Sequence, residues 1–152
     1  MALDPRSAKN IATLHPVLQP LATALVERAI AQGIHVKVIS ALRTYAEQDA
    51  LYAQGRSKSG KVVTHARGGQ SWHNFGTAFD IGIFSDDGKT YYGESAAYAQ
   101  CGKIGEELGL EWGGRWDFVD EPHFQLKLGL SIRELHQRKL SGLDVVSGER
   151  LT

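Results

Sequence analysis

Thr77-Ala78-Phe79-Asp80-Ile81-Gly82-Ile83-Phe84 is the stretch that decides how this chain folds. β-Branched and aromatic residues dominate it and the turn signal Asp86-Asp87-Gly88 follows, so residues 77–84 are predicted to form a strand. Along an extended strand alternate side chains share a face. Ala78, Asp80 and Gly82 therefore point one way, and Phe79, Ile81 and Ile83 the other. An acid among small neighbours, backed by bulky apolar side chains, reads as the floor of a site with the core behind it.

Working outward, Ile34 to Ser40 alternates in the same manner and reads as a second strand. Leu110-Glu111-Trp112, ahead of Gly113-Gly114, and the alternating His123 to Leu128 supply two more. Helical patterns lie between them. Pro16 to Gln32 sets Val17, Leu21, Leu25 and Ala29 on one face and stops at Gly33. Tyr45 to Gln54 is closed by Gly55, and Glu94 to Leu108 by Gly109. Ser131 to Lys139 opens with Ser131 as cap and Glu134 at the capping-box position. Residues 56–70, rich in Gly, Ser, Lys and Arg, read as a long exposed loop, the kind of segment that carries function in small domains. From Leu140 onward the pattern fades, as in a mobile tail. Helices outside a small, mainly antiparallel sheet give an α+β fold, and 152 residues suit a single domain over 1–152.

Composition narrows the function. Lys plus Arg equals Asp plus Glu at 17 each, a balance that argues against a nucleic-acid binder, which needs basic excess. The single cysteine, Cys101, excludes an intramolecular disulfide and a Cys-rich zinc site, and its setting is that of a small buried hydrophobe. The first residues lack the charged-then-apolar order of a secretion signal, and Val17 to Ile34 is broken by Gln19, Pro20, Glu27, Arg28 and Gln32. The expectation is a monomer made in a cytoplasm, without membrane insertion.

The residues able to carry chemistry cluster around the deciding strand. His73 precedes Asp80 by seven positions, and His123 opens the last strand beside Asp120 and Glu121. Two imidazoles and a carboxylate suit zinc and leave a fourth position open. Spacing alone is a loose signal. His65 is a rival ligand, and Asp80 also suits a buried partner of Arg43. His15, His35 and His136 sit where histidines are ordinarily structural.

The segment Ser71-Trp72-His73-Asn74-Phe75-Gly76-Thr77-Ala78-Phe79-Asp80 resembles the Ser-x-His-x-x-Gly-x-Ala-x-Asp signature of the zinc D-Ala-D-Ala carboxypeptidase and L-alanyl-D-glutamate peptidase family. Trp112 to Trp116 and Asp120-Glu121-Pro122-His123-Phe124 resemble that family's closing segment. Ser40 to Thr44, with Gln48 and Leu51 to Arg56, resemble its substrate-arginine segment, so the likeness runs from Ser40 to Phe124 in family order. It implies Zn2+ held by His73, Asp80 and His123, with Asp120 as general base. It also implies Arg43 on a substrate carboxylate or developing oxyanion, and Ser71 and Gln48 as further substrate contacts. Strand alternation through Pro122 would choose Glu121 as the base, whereas the family spacing chooses Asp120. The implied substrate is bacterial peptidoglycan, cut at the L-Ala–D-Glu bond by an enzyme similar to phage endolysins, held in the host cytoplasm until lysis. A carboxypeptidase or dipeptidase removing D-Ala, and a zinc-containing wall-binding module without catalysis, are the alternatives.

Overall fold

Residues 78–84 lie at the centre of a five-stranded sheet in the computed structural model, which describes residues 3–151. Met1, Ala2 and Thr152, the ends of the single domain read from the sequence, lie outside the described residues. Strand β1 (Val36–Ser40) runs antiparallel to β2 (Ala78–Phe84), with Val36 opposite Ile83 and Ser40 opposite Asp80. On the other edge of β2, the two-residue strand β3 (Tyr91–Tyr92) takes one half and β5 (His123–Leu126) the other. Strand β4 (Leu110–Trp112) closes the sheet against β5, and every pairing is antiparallel.

The alternation expected of β2 has its physical outcome in the two faces. Phe79 and Ile81 are fully buried, and the Phe79 ring stacks on Phe124 of β5 at 5.5 Å. Helices α2 (Gln19–Ala31) and α4 (Ala97–Glu107) join that face in one core through Leu25, Val26, Cys101 and Ile104. Each fully buried Leu, Ile or Phe there contributes roughly 1.5–3 kcal/mol relative to exposure. Cys101 belongs to this core, and burial pushes its thiol up to about 12. Helix α4 approaches closely at Gly105, where a Cβ would lie 2.5 Å from the Phe124 ring.

Helix α3 (Tyr45–Ala53) starts with a capping box between Thr44 and Glu47, and α5 (Ile132–Leu140) with one between Ser131 and Glu134. Helix α1 (Pro5–Ile11) was not predicted. Asp4 caps it through Ser7 N at 2.9 Å, and its side chains serve the outer edge of β1. Ser7 Oγ accepts from Val38 N and Asn10 Nδ2 donates to Val38 O, so backbone groups of an edge strand are satisfied by a helix. Helices α2 and α4 begin three residues later than predicted, at Gln19 and Ala97.

The weakly patterned residues after Leu140 are tied to the body. Asp144 Oδ1 lies 2.7 Å from His15 Nε2, its Oδ2 accepts from Val146 N and Ser147 N, and Arg138 donates to the carbonyls of Val145 and Val146. Among the described residues no helix is long and apolar enough to cross a membrane.

Two predictions follow from this packing. Gly105→Ala is expected to destabilise by about 1–3 kcal/mol in urea unfolding, although alanine is the better helix former, because the methyl has nowhere to go. Asp144 is held down to about 2; burial works against this, but hydrogen bonds from Ser147 and His15 outweigh it. Its stabilisation is therefore complete above the ordinary carboxylate range and lost as pH falls towards about 2. Asp144→Asn should cost roughly 1–2 kcal/mol at pH 7 and clearly less at pH 2 by chemical denaturation, and an equal deficit at both would contradict this.

Candidate active site

Asp80 and His123 face each other across the β2–β5 ladder, which fixes two donors of a cluster by register alone. The third, His73, sits in a 3-10 turn (Trp72–Phe75) capped by Ser71, whose Oγ accepts from His73 N, and closed by Gly76 at φ 69°. Only glycine enters that left-handed conformation at little cost, and the turn then feeds directly into β2. His73 Nε2 lies 3.3 Å from one oxygen of Asp80, and His123 Nδ1 lies 3.3 Å from the other. The three donor atoms fall within 4.8 Å of one another, with both histidines buried.

The donor set fits zinc. Two imidazole nitrogens and a carboxylate oxygen within 4.8 Å of one another can reach one ion and leave a fourth position open, as catalytic zinc sites do. The outward nitrogens are also committed. His73 Nδ1 is 2.8 Å from Ala41 O and donates to it, and His123 Nε2 is 2.8 Å from Gln125 Oε1. With those outward protons placed, Nε2 of His73 and Nδ1 of His123 point inward at Asp80, and zinc would take the place of any proton there and meet a lone pair on each ring. Gln125 in turn donates to Glu111 Oε2, which also accepts from Trp116 Nε1, and the Trp116 ring stands 5.0 Å from the His123 ring. Gln125 and Glu111 escaped sequence reasoning. An amide one alternation beyond His123 was the available signal, and no motif marked it.

A cleft of about 440 Å³ opens over the cluster. Arg43, Ser71, Trp116 and Asp120 line it together with the three donors. Asp120 Oδ2 lies 3.9 Å from His123 Nδ1. Glu121 contributes its carbonyl, which accepts from Trp112 Nε1. Residues 120–123 form a turn closed by His123 N on Asp120 O, so strand alternation does not extend through Pro122. Burial raises the Asp120 carboxyl, the His123 imidazole opposes this and the Asp80 carboxylate adds to it, for a net upward shift. For Asp80 burial also acts upward, but the two imidazoles more than offset it and hold the carboxyl well below its ordinary range.

Arg43 is unpaired with Asp80. Its guanidinium donates to Gln48 Oε1 at 2.9 Å and is 3.4 Å from Ser40 Oγ. Gln48, fully buried, is fixed by donating to Ala66 O, so it positions Arg43 and lies beneath the cleft surface. Asn74 Nδ2 donates to Arg43 O and Arg43 N to His73 O, tying the arginine segment to the metal turn. His65 stands outside the cluster, edge-on to Phe118. His15 meets Asp144, His35 meets Asp86 O, and His136 meets Tyr45. Trp112 is buried in the core.

Residues 64–126 match the family model described as D-alanyl-D-alanine carboxypeptidase. The peptidoglycan L-alanyl-D-glutamate endopeptidase CwlK of Bacillus subtilis is 41% identical, over 74% of this chain and 73% of its own. The chain belongs to this family of metallopeptidases. A Listeria phage L-alanyl-D-glutamate peptidase is 29% identical over 79% of this peptidase, which spans 40% of the phage enzyme. The Serratia marcescens L-Ala D-Glu endopeptidase ChiX shares the fold at TM-score 0.63 and 26% identity, covering 82% of this peptidase and 89% of ChiX. The cofactor of the family, zinc, is the ion the donor set fits.

The Gln125 contact makes a prediction. Gln125→Leu should lower zinc affinity about 10–100-fold in competition with a chromogenic chelator, with the far-UV circular dichroism unchanged. Unaltered affinity would mean that the amide does not orient His123.

Proposed function

We propose that this metallopeptidase hydrolyses the L-Ala–D-Glu bond in the stem peptides of bacterial peptidoglycan, with His73, Asp80 and His123 holding the zinc. The observation that carries the reading is the open side of the cluster, where Asp120 and Arg43 face the same cleft. The 41% identity to the Bacillus endopeptidase supports the choice of bond. Bound there, zinc supplies a Lewis acid that polarises the scissile carbonyl and acidifies water.

The chain's own groups do the rest. Asp120 takes the proton of the attacking water and returns it to the leaving amine. Its raised pKa suits that double duty, because a base nearer the working pH is also a better acid in the second step. Arg43, already oriented by Gln48, presents its planar fork to a substrate carboxylate or to the oxygen that gains charge. Ser71 borders the same cleft as a further substrate contact. Trp116 covers His123 and limits water at that imidazole. The enzyme acts as a monomer, and its likeness to a phage peptidase supports synthesis in a host cytoplasm with access to the wall at lysis. The family description favours one second reading, removal of a terminal D-Ala.

Digestion of purified peptidoglycan separates the two. New D-Glu amino termini are expected, and D-Ala release without them would replace the proposal with the second reading. Asp120→Ala should lower kcat by about 10²–10⁴-fold while zinc stays bound stoichiometrically. Wall lysis at the wild-type rate by that variant would remove Asp120 from the mechanism.

A further inference from the structure

The register of β2 and β5 places Asp80 and His123 but not His73, whose position depends on what holds the 3-10 turn from behind. Two segments from opposite ends of the chain meet there. Gly76, which closes the turn, accepts at its carbonyl from His15 N at 2.9 Å. A Cβ at Gly76 would lie 2.9 Å from that same nitrogen, so the chain at His15 lies flush on the turn. His15 is itself fixed. Its carbonyl accepts from Leu18 N and Gln19 N as the chain enters α2, and its Nδ1 accepts from Val17 N at 3.1 Å. The ring proton is thereby left on Nε2, which donates to Asp144 Oδ1 at 2.7 Å across 129 residues of sequence.

Asp144 belongs to a C-terminal segment that closes on itself. Asp144 N donates to Glu149 O, Gly148 N to Asp144 O and Leu151 N to Gly142 O. The segment also leans on the turn, where Leu143, Val145 and Leu151 border a hollow of about 240 Å³ together with Leu42, Asn74 and Phe75. Trp72 and His73 line the cleft while Asn74 and Phe75 line this hollow, so the turn stands between the cleft and the C-terminal segment. Helix α5 adds a second hold. Tyr45 is edge-on to Phe75 with ring centroids 6.1 Å apart, its hydroxyl lies 2.8 Å from His136 Nδ1, and Lys139 Nζ is 4.4 Å from its ring.

We propose that the His15–Asp144 contact is a clasp that positions His73 for the metal, with the C-terminal segment as its strap. The inference rests on the proposed function in one respect, that His73 is a ligand. His15 and Asp144 are positioning residues, and they act on His73 through Gly76, whose N donates to His73 O at 3.5 Å. The groups that hold a ligand set how well it meets the ion, and a turn free to shift would present Nε2 less often where the metal needs it. An intact clasp therefore raises zinc affinity. By reciprocity, bound zinc tightens the clasp by the same factor.

Zinc affinity of the full chain, by competition with a chromogenic chelator, and amide hydrogen exchange test this together. Asp144→Ala and His15→Ala should each weaken zinc binding roughly 2–30-fold, the range over which residues outside a site alter coupling to it. The double variant should lose no more than the weaker-binding single one, because both remove the same contact. Asp144→Asn, which keeps one acceptor oxygen, should recover part of the loss. Ile104→Val, which loosens the core at α4, should lower urea stability and keep wild-type zinc affinity, so that instability alone does not imitate the effect. Zinc should also slow exchange of the Val146 and Ser147 amides, which are bound to Asp144, in wild type but not in His15→Ala. Wild-type affinity in both single variants, additive losses in the double variant, a matching loss in Ile104→Val, or tail amides that respond to zinc alike in wild type and His15→Ala overturns the inference. Wild-type zinc affinity in His73→Ala would instead remove the ligand assignment beneath it.

Discussion

The register that sets Asp80 of β2 opposite His123 of β5 is the constraint on which the remaining site geometry depends. A slip of one residue would carry every side chain of a strand to the opposite face. Phe79 and Phe124 would enter the cleft, and Asp80 and His123 would enter the core. The stacked Phe79–Phe124 pair on the reverse face therefore holds the register that the donors need. Core packing and the placing of two of the three donors are thus enforced by the same two strands. His73 arrives by a different route, a capped 3-10 turn bound to Ala41 O, and its place depends on the link between that turn and the arginine segment.

Electrostatics explains why such a crowd of titratable groups is tolerated. Burial disfavours a charged carboxylate, yet two imidazoles within 3.3 Å keep Asp80 ionised. Asp120 is shifted the opposite way, because its burial, with the Asp80 carboxylate adding to it, outweighs the more distant imidazoles. Two carboxylates in one cleft thus acquire different characters from their surroundings, one a permanent anion suited to ligation and the other a group able to take and give a proton. A divalent cation at the cluster complements the negative charge of the pair, and its binding adds to folding stability because the donors come together only in the native chain.

Much of this was legible before any coordinates. Alternation from Ala78 to Ile83 separated site from core, Gly55 announced the end of one helix, and Ser131 and Glu134 announced another by their capping chemistry. Other parts were not. Helix α1 has too few periodic apolar residues in seven positions, and its reason for existing, the unpaired edge at Val38, is tertiary. Strand β3 is two residues long and has no period to detect. Alternation misled at Glu121 because it presupposes an extended chain, and a turn at 120–123 rotates Asp120 towards the cleft instead. Gln125 looked like an ordinary polar residue in a half-buried strand; its role exists only once His123 Nε2 needs an acceptor.

The lone thiol has a consequence for where such a molecule can work. Cys101 is sealed in the core with its ionisation suppressed, and the metal donors are nitrogen and oxygen only. No covalent bond in the fold responds to glutathione or to an oxidising exterior, because reactivity towards either requires an accessible thiolate. The same folded, metal-loaded molecule is therefore chemically indifferent to the redox difference across a bacterial envelope.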